Sequence, residues 1–475
     1  MLQQKDIKRR EQILNGNIVY AIISICAPIF LYNLFNSFYS VIDAVVVARI
    51  DPTSVSAVAM LSQIQHLLSS LGAGVAAGGG IIVARLFGAG DMDDARYHSN
   101  QVISLSTIVV AALLAVCLPL ANPIMRFSGV PDELIEIGTG SFIVQILTLA
   151  LMFYNSVFMA MQKAKGNTKI MFWLNIVVMI IKLCLSLLFI WELGKRDIVW
   201  VAVATLIGQS VMFIILLLMM LDKNNIFAVK FSEFKLNAAV CKKIFAISFP
   251  IFLGKFIFSF GKVSVNGMCK EYGPLVVGAL GVSNNVNGLA TTPINSFEEG
   301  TSTIISQNLG AGNQKRALET FKYSFIMSTL LGIIGYILIR FVLQDQIIGM
   351  YNQNEVAEGA AEFLALIKSI HKYDSLSILA LAVNASVLGV LYGYGQTKMT
   401  MVLNISRVFL FRIPILWYFQ TFHKEIGAEA AGISMGISNI CIALASLACL
   451  GIFMWKINKP KPPEAKESVV EESPA

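Results

Sequence analysis

Short polar breaks divide the chain into twelve long apolar segments, at about 18–47, 54–84, 95–121, 133–161, 169–192, 198–221, 243–269, 274–306, 316–343, 355–391, 398–420 and 428–455. Each is longer than the roughly 20 residues an α-helix needs to cross the hydrocarbon layer, so each is expected to be one membrane-spanning helix. The breaks themselves follow a pattern. Residues 81–100, IIVARLFGAGDMDDARYHSN, join the second segment to the third through Gly88-Ala89-Gly90. Residues 303–322, TIISQNLGAGNQKRALETFK, join the eighth to the ninth through Gly310-Ala311-Gly312. Both read as two helices meeting at a tight glycine turn.

Two more echoes keep the same order. Pro28-Ile29-Phe30-Leu31 returns as Pro250-Ile251-Phe252-Leu253 at the same offset of 222 residues, and the turn Gly166-Asn167-Thr168-Lys169 returns as Gly395-Gln396-Thr397-Lys398 at 229. Six segments per copy make the two halves parallel in topology, as for lobes related by an axis along the membrane normal. The expected fold is an all-α polytopic membrane protein of two pseudo-symmetric six-helix lobes. The domain reading is a segment at 1–17, an N-lobe at 18–221, a linker at 222–243, a C-lobe at 244–456 and a disordered tail at 457–475, where Pro, Glu and Lys leave little to bury.

Composition fixes the class. The chain has 475 residues, 56% hydrophobic and only 14% charged, with a mean hydropathy of +0.70; soluble proteins carry about 25% charged residues. The net charge of +7 is unevenly spread: 22 Lys and Arg fall on the side of both termini and the G-A-G turns, seven on the other side and seven within segments. The positive-inside rule then places both termini in the cytoplasm and the protein in the cell membrane. The seven cysteines form no CxxC pair and are expected to be buried apolar residues. Nucleic acid is not an expected partner, and no cofactor or metal site is indicated. The four histidines lack ligand spacing and no nucleophile motif occurs, so an enzyme is not expected.

Ionisable residues inside the segments carry the candidate chemistry, because charge at that depth requires a partner or a wet cavity. The basic ones are Lys182, Lys255, Lys262, Lys368, Lys372, Arg407 and Arg412; Glu298, Glu299, Glu362 and Asp374 are acids near them. Asp43 sits six residues before Arg49, roughly 9 Å of helix from the outer boundary. In the seventh segment Lys255, Ser259, Lys262 and Asn266 recur at steps of four, three and four, a polar stripe along one helical face. Together with Lys368, Arg407 and Arg412 they give the C-lobe a basic character. Two readings stay open: ion pairs that fix helix packing, and a cavity for an anionic or zwitterionic substrate gripped by arginine.

The paired G-A-G turns, Asp43 late in the first segment, the GNTK and GQTK turns, and Pro28 and Pro250 in equivalent first helices together resemble the multidrug and toxic compound extrusion (MATE) transporters, in particular the DinF-like branch. The resemblance runs from about residue 18 to 456 and implies a V-shaped, alternating-access exporter of small organic molecules. It implies coupling to a proton or sodium gradient; because one chain covers both lobes, a monomer is expected to suffice. It also implies a cation site at Asp43, with Lys182 and Ser186 standing where the family has Asn and Asp, and Thr205 retained. An ammonium at Lys182 disfavours sodium there and favours an Asp43–Lys182 pair that opens on protonation. Phe258 stands where another branch has a glutamate. A basic C-lobe cavity of Lys255, Ser259, Lys262, Asn266, Glu298, Glu299, Lys368, Arg407 and Arg412 would also suit a flippase for a lipid-linked or anionic amphiphile, the runner-up within the same superfamily, which two additional spans would favour where only twelve are read.

Overall fold

The structure is a computed structural model that describes residues 2–48, 52–127, 132–189, 198–349 and 360–458. The side chains of residues 39–48 and 52–63, and of several residues at helix ends, lie outside the description. Helices run in the order α1 (Leu2–Asn15), α2 (Ile18–Ala48), α3 (Pro52–Ala89), α4 (Met92–Cys117), α5 (Ala121–Phe127), α6 (Asp132–Ala164), α7 (Thr168–Leu187) and α8 (Ile198–Leu221). The second half continues with α9 (Ala238–Cys269), α10 (Pro274–Ile294), α11 (Ser296–Gly310), α12 (Gln314–Ile337), α13 (Gln344–Gly349), α14 (Ala360–Asp374), α15 (Ser377–Gly393), α16 (Thr397–Ser406), α17 (Ile413–Phe422) and α18 (Glu429–Asn458). The expected tail at 457–475 falls almost wholly outside the described residues.

Among the described residues ten helices are long and apolar enough to cross a membrane, eleven with the bent α14–α15 pair; counting α10–α11 as one further span gives twelve, six per half. Those of the first half are α2, α3, α4, α6, α7 and α8; those of the second are α9, α10–α11, α12, α14–α15, α16–α17 and α18. Two spans of the second half are interrupted and a third carries a π turn, where the apolar pattern predicts regular helices. The α10–α11 span stops at Asn295, just after Pro293, whose ring excludes a regular turn. The α14–α15 pair bends by 43° at Ser375 and Leu376. Between α16 and α17 the residues Arg407–Arg412 form a π-helical turn ahead of Pro414, which cannot donate to the carbonyl four residues back.

The repeat is visible in backbone conformation. Gly90 and Gly312 both have positive φ, +89° and +77°, at equivalent places after their G-A-G breaks. Only glycine enters that region freely, so each turn can reverse within a few residues. Asp91 then caps α4 by accepting from the Asp94 amide. The GNTK and GQTK turns match as well, with Gly166 and Gly395 both at +76°.

The lobes meet along α3, which crosses α9 and α11 of the other half. A Cβ at Gly74 would lie 2.6 Å from the Phe252 Cβ, and one at Gly78 would overlap Ser248. The two glycines are four residues apart on one helical face, the small-residue geometry that lets membrane helices approach backbone to backbone. The glycine-rich stretch of the second segment is thus an inter-lobe seam. One element went unforeseen: residues 2–15, expected only as a terminal segment, form α1, which buries Asp6, Ile13 and Leu14 against the face of the G-A-G turns.

Candidate transport cavity and C-lobe polar network

A cavity of about 270 Å³ lies between the halves. Tyr32 of α2, Asn155 and Lys163 of α6, Asn175 of α7 and Gln209 of α8 line one side; Lys255 of α9, Glu298 and Glu299 of α11 and Tyr392 of α15 line the other. Met152, Met159, Met171 and Met212 supply soft apolar wall that adapts to ligands of different shape. Asn155 is held in place, donating to the Gln209 backbone carbonyl at 3.1 Å and to its side-chain oxygen at 2.9 Å.

The cavity floor, toward the G-A-G turns, is closed by contacts between the halves. Lys163 Nζ lies 2.6 Å from Glu299 Oε2, so an ion pair joins α6 to α11 across the seam. Gln307 donates to the Ala164 carbonyl at 2.7 Å, and Arg85 to the Gly393 carbonyl at 2.9 Å. Glu298 and Glu299 occupy the first turn of α11, where the helix dipole favours negative charge. Because the Glu299 side chain is 42% exposed, solvent screens the pair and it contributes under about 1 kcal/mol. Lys163→Ala is therefore expected to loosen floor closure less than about fivefold. Thiol labelling of a Thr303→Cys reporter from the G-A-G side measures this; a larger gain in labelling would show the pair to be the main latch.

A second group forms inside the C-lobe at the broken helices. Asp374, at the end of α14 and 2% exposed, accepts from Ser283 at 2.9 Å and from Ser377 at 3.1 Å. Ser377 in turn accepts from the Asn439 amide at 2.6 Å. The Asn439 oxygen accepts from both Arg407 at 2.7 Å and Arg412 at 3.1 Å, and Arg412 also donates to Ser438 at 3.1 Å. His371 lies 3.4 Å from the Ser283 hydroxyl. The bend between α14 and α15 and the π turn at Arg407–Arg412 bring these groups together, and broken spans are where membrane transporters place ion and substrate groups.

The sequence-expected residues distribute as follows. Lys255, Glu298 and Glu299 share the cavity, while Arg407 and Arg412 share the C-lobe network. Lys262 and Arg407 both face the ring of Phe258, at 5.7 and 4.8 Å from its centroid. The position at which a glutamate was looked for thus offers an aromatic face to two cations. Ser259 and Asn266 are half-buried on the same helix. Lys368 is elsewhere: it is half-exposed and pairs with Asp345 of α13 at 2.8 Å. In the first half, Lys182 and Ser186 stand one turn apart on α7; the Ser186 hydroxyl is buried with no partner among the described residues, and Thr205 donates to the Val201 carbonyl of its own helix. Asp43 belongs to α2, but its side chain lies outside the described residues, so its relation to Lys182 does too.

Sequence reasoning passed over Lys163, which it counted with the loop lysines, and Ser377 and Asn439; Asp374 it named only as an acid near the basic residues. The meeting of Asp374, Ser377 and Asn439 depends on the α14–α15 span and α18 packing together. A polar residue recurring in otherwise apolar helices, as Ser438-Asn439 does in α18, was the available signal.

Two six-helix halves enclosing a mixed polar and methionine-lined cavity, sealed on one face, define a polytopic membrane transporter. The sequence places it further: the MatE family model matches residues 28–188 and 250–418, one block per half, and the chain belongs to that family of transporters. Among its relatives is the probable multidrug resistance protein YoeA of Bacillus subtilis, 20% identical over 442 residues that cover 90% of this chain and 92% of that one. Another is the FAD transporter of Shewanella oneidensis, 20% identical, covering 86% and 90%. A solved MOP superfamily transporter from Pyrococcus furiosus, described as having a binding pocket of reversed polarity, superposes with a TM-score of 0.88 at 18% identity, covering 94% of this chain and 98% of that one.

Proposed function

We propose that this protein is a secondary active exporter of small organic molecules that exchanges them for a cation, protons rather than sodium, by alternating access of the central cavity. The observation that carries the reading is the cavity itself: both halves line it, and its floor is held by inter-lobe contacts that must part for the opposite opening. Chemistry favours the proton. Sodium is a hard ion that wants several oxygen ligands, whereas the ionisable groups here stand beside ammonium and guanidinium groups. Both termini on the cytoplasmic side of the cell membrane, and a single chain as the working unit, complete the proposal. Multidrug resistance relatives support the substrate class.

A second reading has an observation of its own. Lys255, Lys262, Arg407 and Arg412 outnumber the acids among them, which suits an anionic or zwitterionic amphiphile, and the FAD transporter is a relative of that chemistry. Proteoliposomes loaded with a lipophilic cationic dye or with an anionic flavin nucleotide, under separately imposed proton and sodium gradients, decide between them. The proposal expects dye movement under the proton gradient alone. Flavin movement without dye movement would transfer the case to the second reading, and dependence on sodium would overturn the proton assignment.

A further inference from the structure

The face of the G-A-G turns carries a second pocket, of about 350 Å³, which shares no lining residue with the central cavity. It opens between α1, the start of α7 and the end of α8. Lys5, Arg9, Lys165 and Lys169 line it, against Asp6 and Asp222, and Ile170, Trp173 and Met219 form its apolar side. Lys165 is 4% exposed, with its Nζ 3.2 Å from Asp6 and 2.9 Å from the Asn225 oxygen. Arg9 bonds Asp6 at 2.7 Å. The two acids leave cationic charge over, and Lys5 and Lys169 are the exposed members.

Its position fits one kind of ligand. Trp173 is 62% exposed on α7 only five residues after the helix starts at Thr168, the depth at which tryptophans sit at a membrane–water boundary. A ligand filling the pocket therefore has its anionic part among Lys5, Arg9 and Lys169 and an apolar part along Ile170 and Trp173. We propose that this pocket is a binding site for the phosphate headgroup of an anionic phospholipid from the leaflet on the G-A-G side.

The site is wired to the transport cycle through α1. Arg10 donates to the carbonyls of Phe87 and Gly88 in the first half, each at 2.8 Å. From the second half, Arg316 donates to the carbonyls of Ile13 and Gly16 at the end of α1. A headgroup that holds α1 down thus favours the form in which the two G-A-G turns are together.

The test uses the full chain in vesicles of phosphatidylcholine with increasing phosphatidylglycerol, reading lipids retained by native mass spectrometry and closure by labelling of Thr303→Cys from the G-A-G side. Phosphatidylglycerol is expected to stay bound and to reduce labelling. The Lys5→Gln/Lys169→Gln variant should bind it more weakly by about tenfold, given what basic groups contribute at an anionic surface. Lys242→Gln/Lys243→Gln, which removes two exposed charges outside the pocket, should behave as wild type. Equal losses in both variants would mean diffuse surface attraction, and unchanged retention in the first would remove the site; either overturns the proposal. Inorganic phosphate added to pure phosphatidylcholine vesicles separates the sources: if it alone reproduces the reduced labelling, the ligand is a soluble phosphate and the lipid assignment fails.

Discussion

Replacing Gly310 with valine is expected to cut transport by about tenfold or more while leaving the protein folded. Gly310 ends α11, and a Cβ there would overlap the Arg85 carbonyl oxygen and lie 3.0 Å from the Ala89 amide nitrogen. The reciprocal contact exists at Gly88, whose Cβ would lie 2.5 Å from the Gln307 Cα. The two G-A-G turns therefore dock backbone against backbone, and no rotamer change makes room. Overpacking of this kind costs about 1–3 kcal/mol or more, and a ligand-free equilibrium between closed and open floors shifts by that amount. The clash falls between the halves and not within either core, so each half keeps its own packing: Phe87, Val102, Phe153 and Leu216 in the first, Val265, Ile367 and Leu416 in the second. Transport in proteoliposomes, with a thermal melt on the same sample, checks both parts. Wild-type transport would mean that the floor does not need to close this tightly.

Most of the architecture could be read from the chain because the bilayer allows few solutions: an apolar run of sufficient length must be a helix, and its breaks must be turns. The G-A-G repeats were legible for the same reason, since glycine at matching places signals matching backbone. The charges were less legible. Lys368 and Lys372 share a helix with His371 and Asp374, yet the 3.6-residue period sends the lysines to the outer side and His371 and Asp374 inward with Ile367 and Ile370. Counting charges by segment put them in one basic group. Lys163 was assigned to a loop because hydropathy ends α6 a few residues early, whereas the helix runs on to Ala164 and delivers the ammonium to the cavity. α1 was invisible for a different reason. Its sequence LQQKDIKRREQILN has few apolar residues, and its place is set by hydrogen bonds from Arg10 and Arg316 that no local pattern encodes.

The strongest expected effect on both stability and coupling belongs to Asp374→Asn. The substitution keeps the volume and removes the one anion of the buried network, which holds two guanidinium groups through Asn439. Arg412 is 2% exposed and reaches Asp374 through Asn439 and Ser377, so it would lose the acid at the end of that chain. The two charges do not touch, so the cost is expected to stay below that of breaking a buried contact pair, about 3–5 kcal/mol. A lowered melting temperature and lost transport are therefore expected together, and neither alone says whether Asp374 carries protons or only pairs the arginines. The double variant Asp374→Asn/Arg412→Met separates the roles. With the Arg412 charge gone, the melting temperature should recover most of its loss. If Asp374 also takes up and releases the coupling proton, proton-driven transport stays absent in the refolded double variant, while downhill substrate exchange without a gradient returns. Restored uphill transport in that variant would make the network a packing device, and the coupling proton would then have to be carried by another carboxyl group.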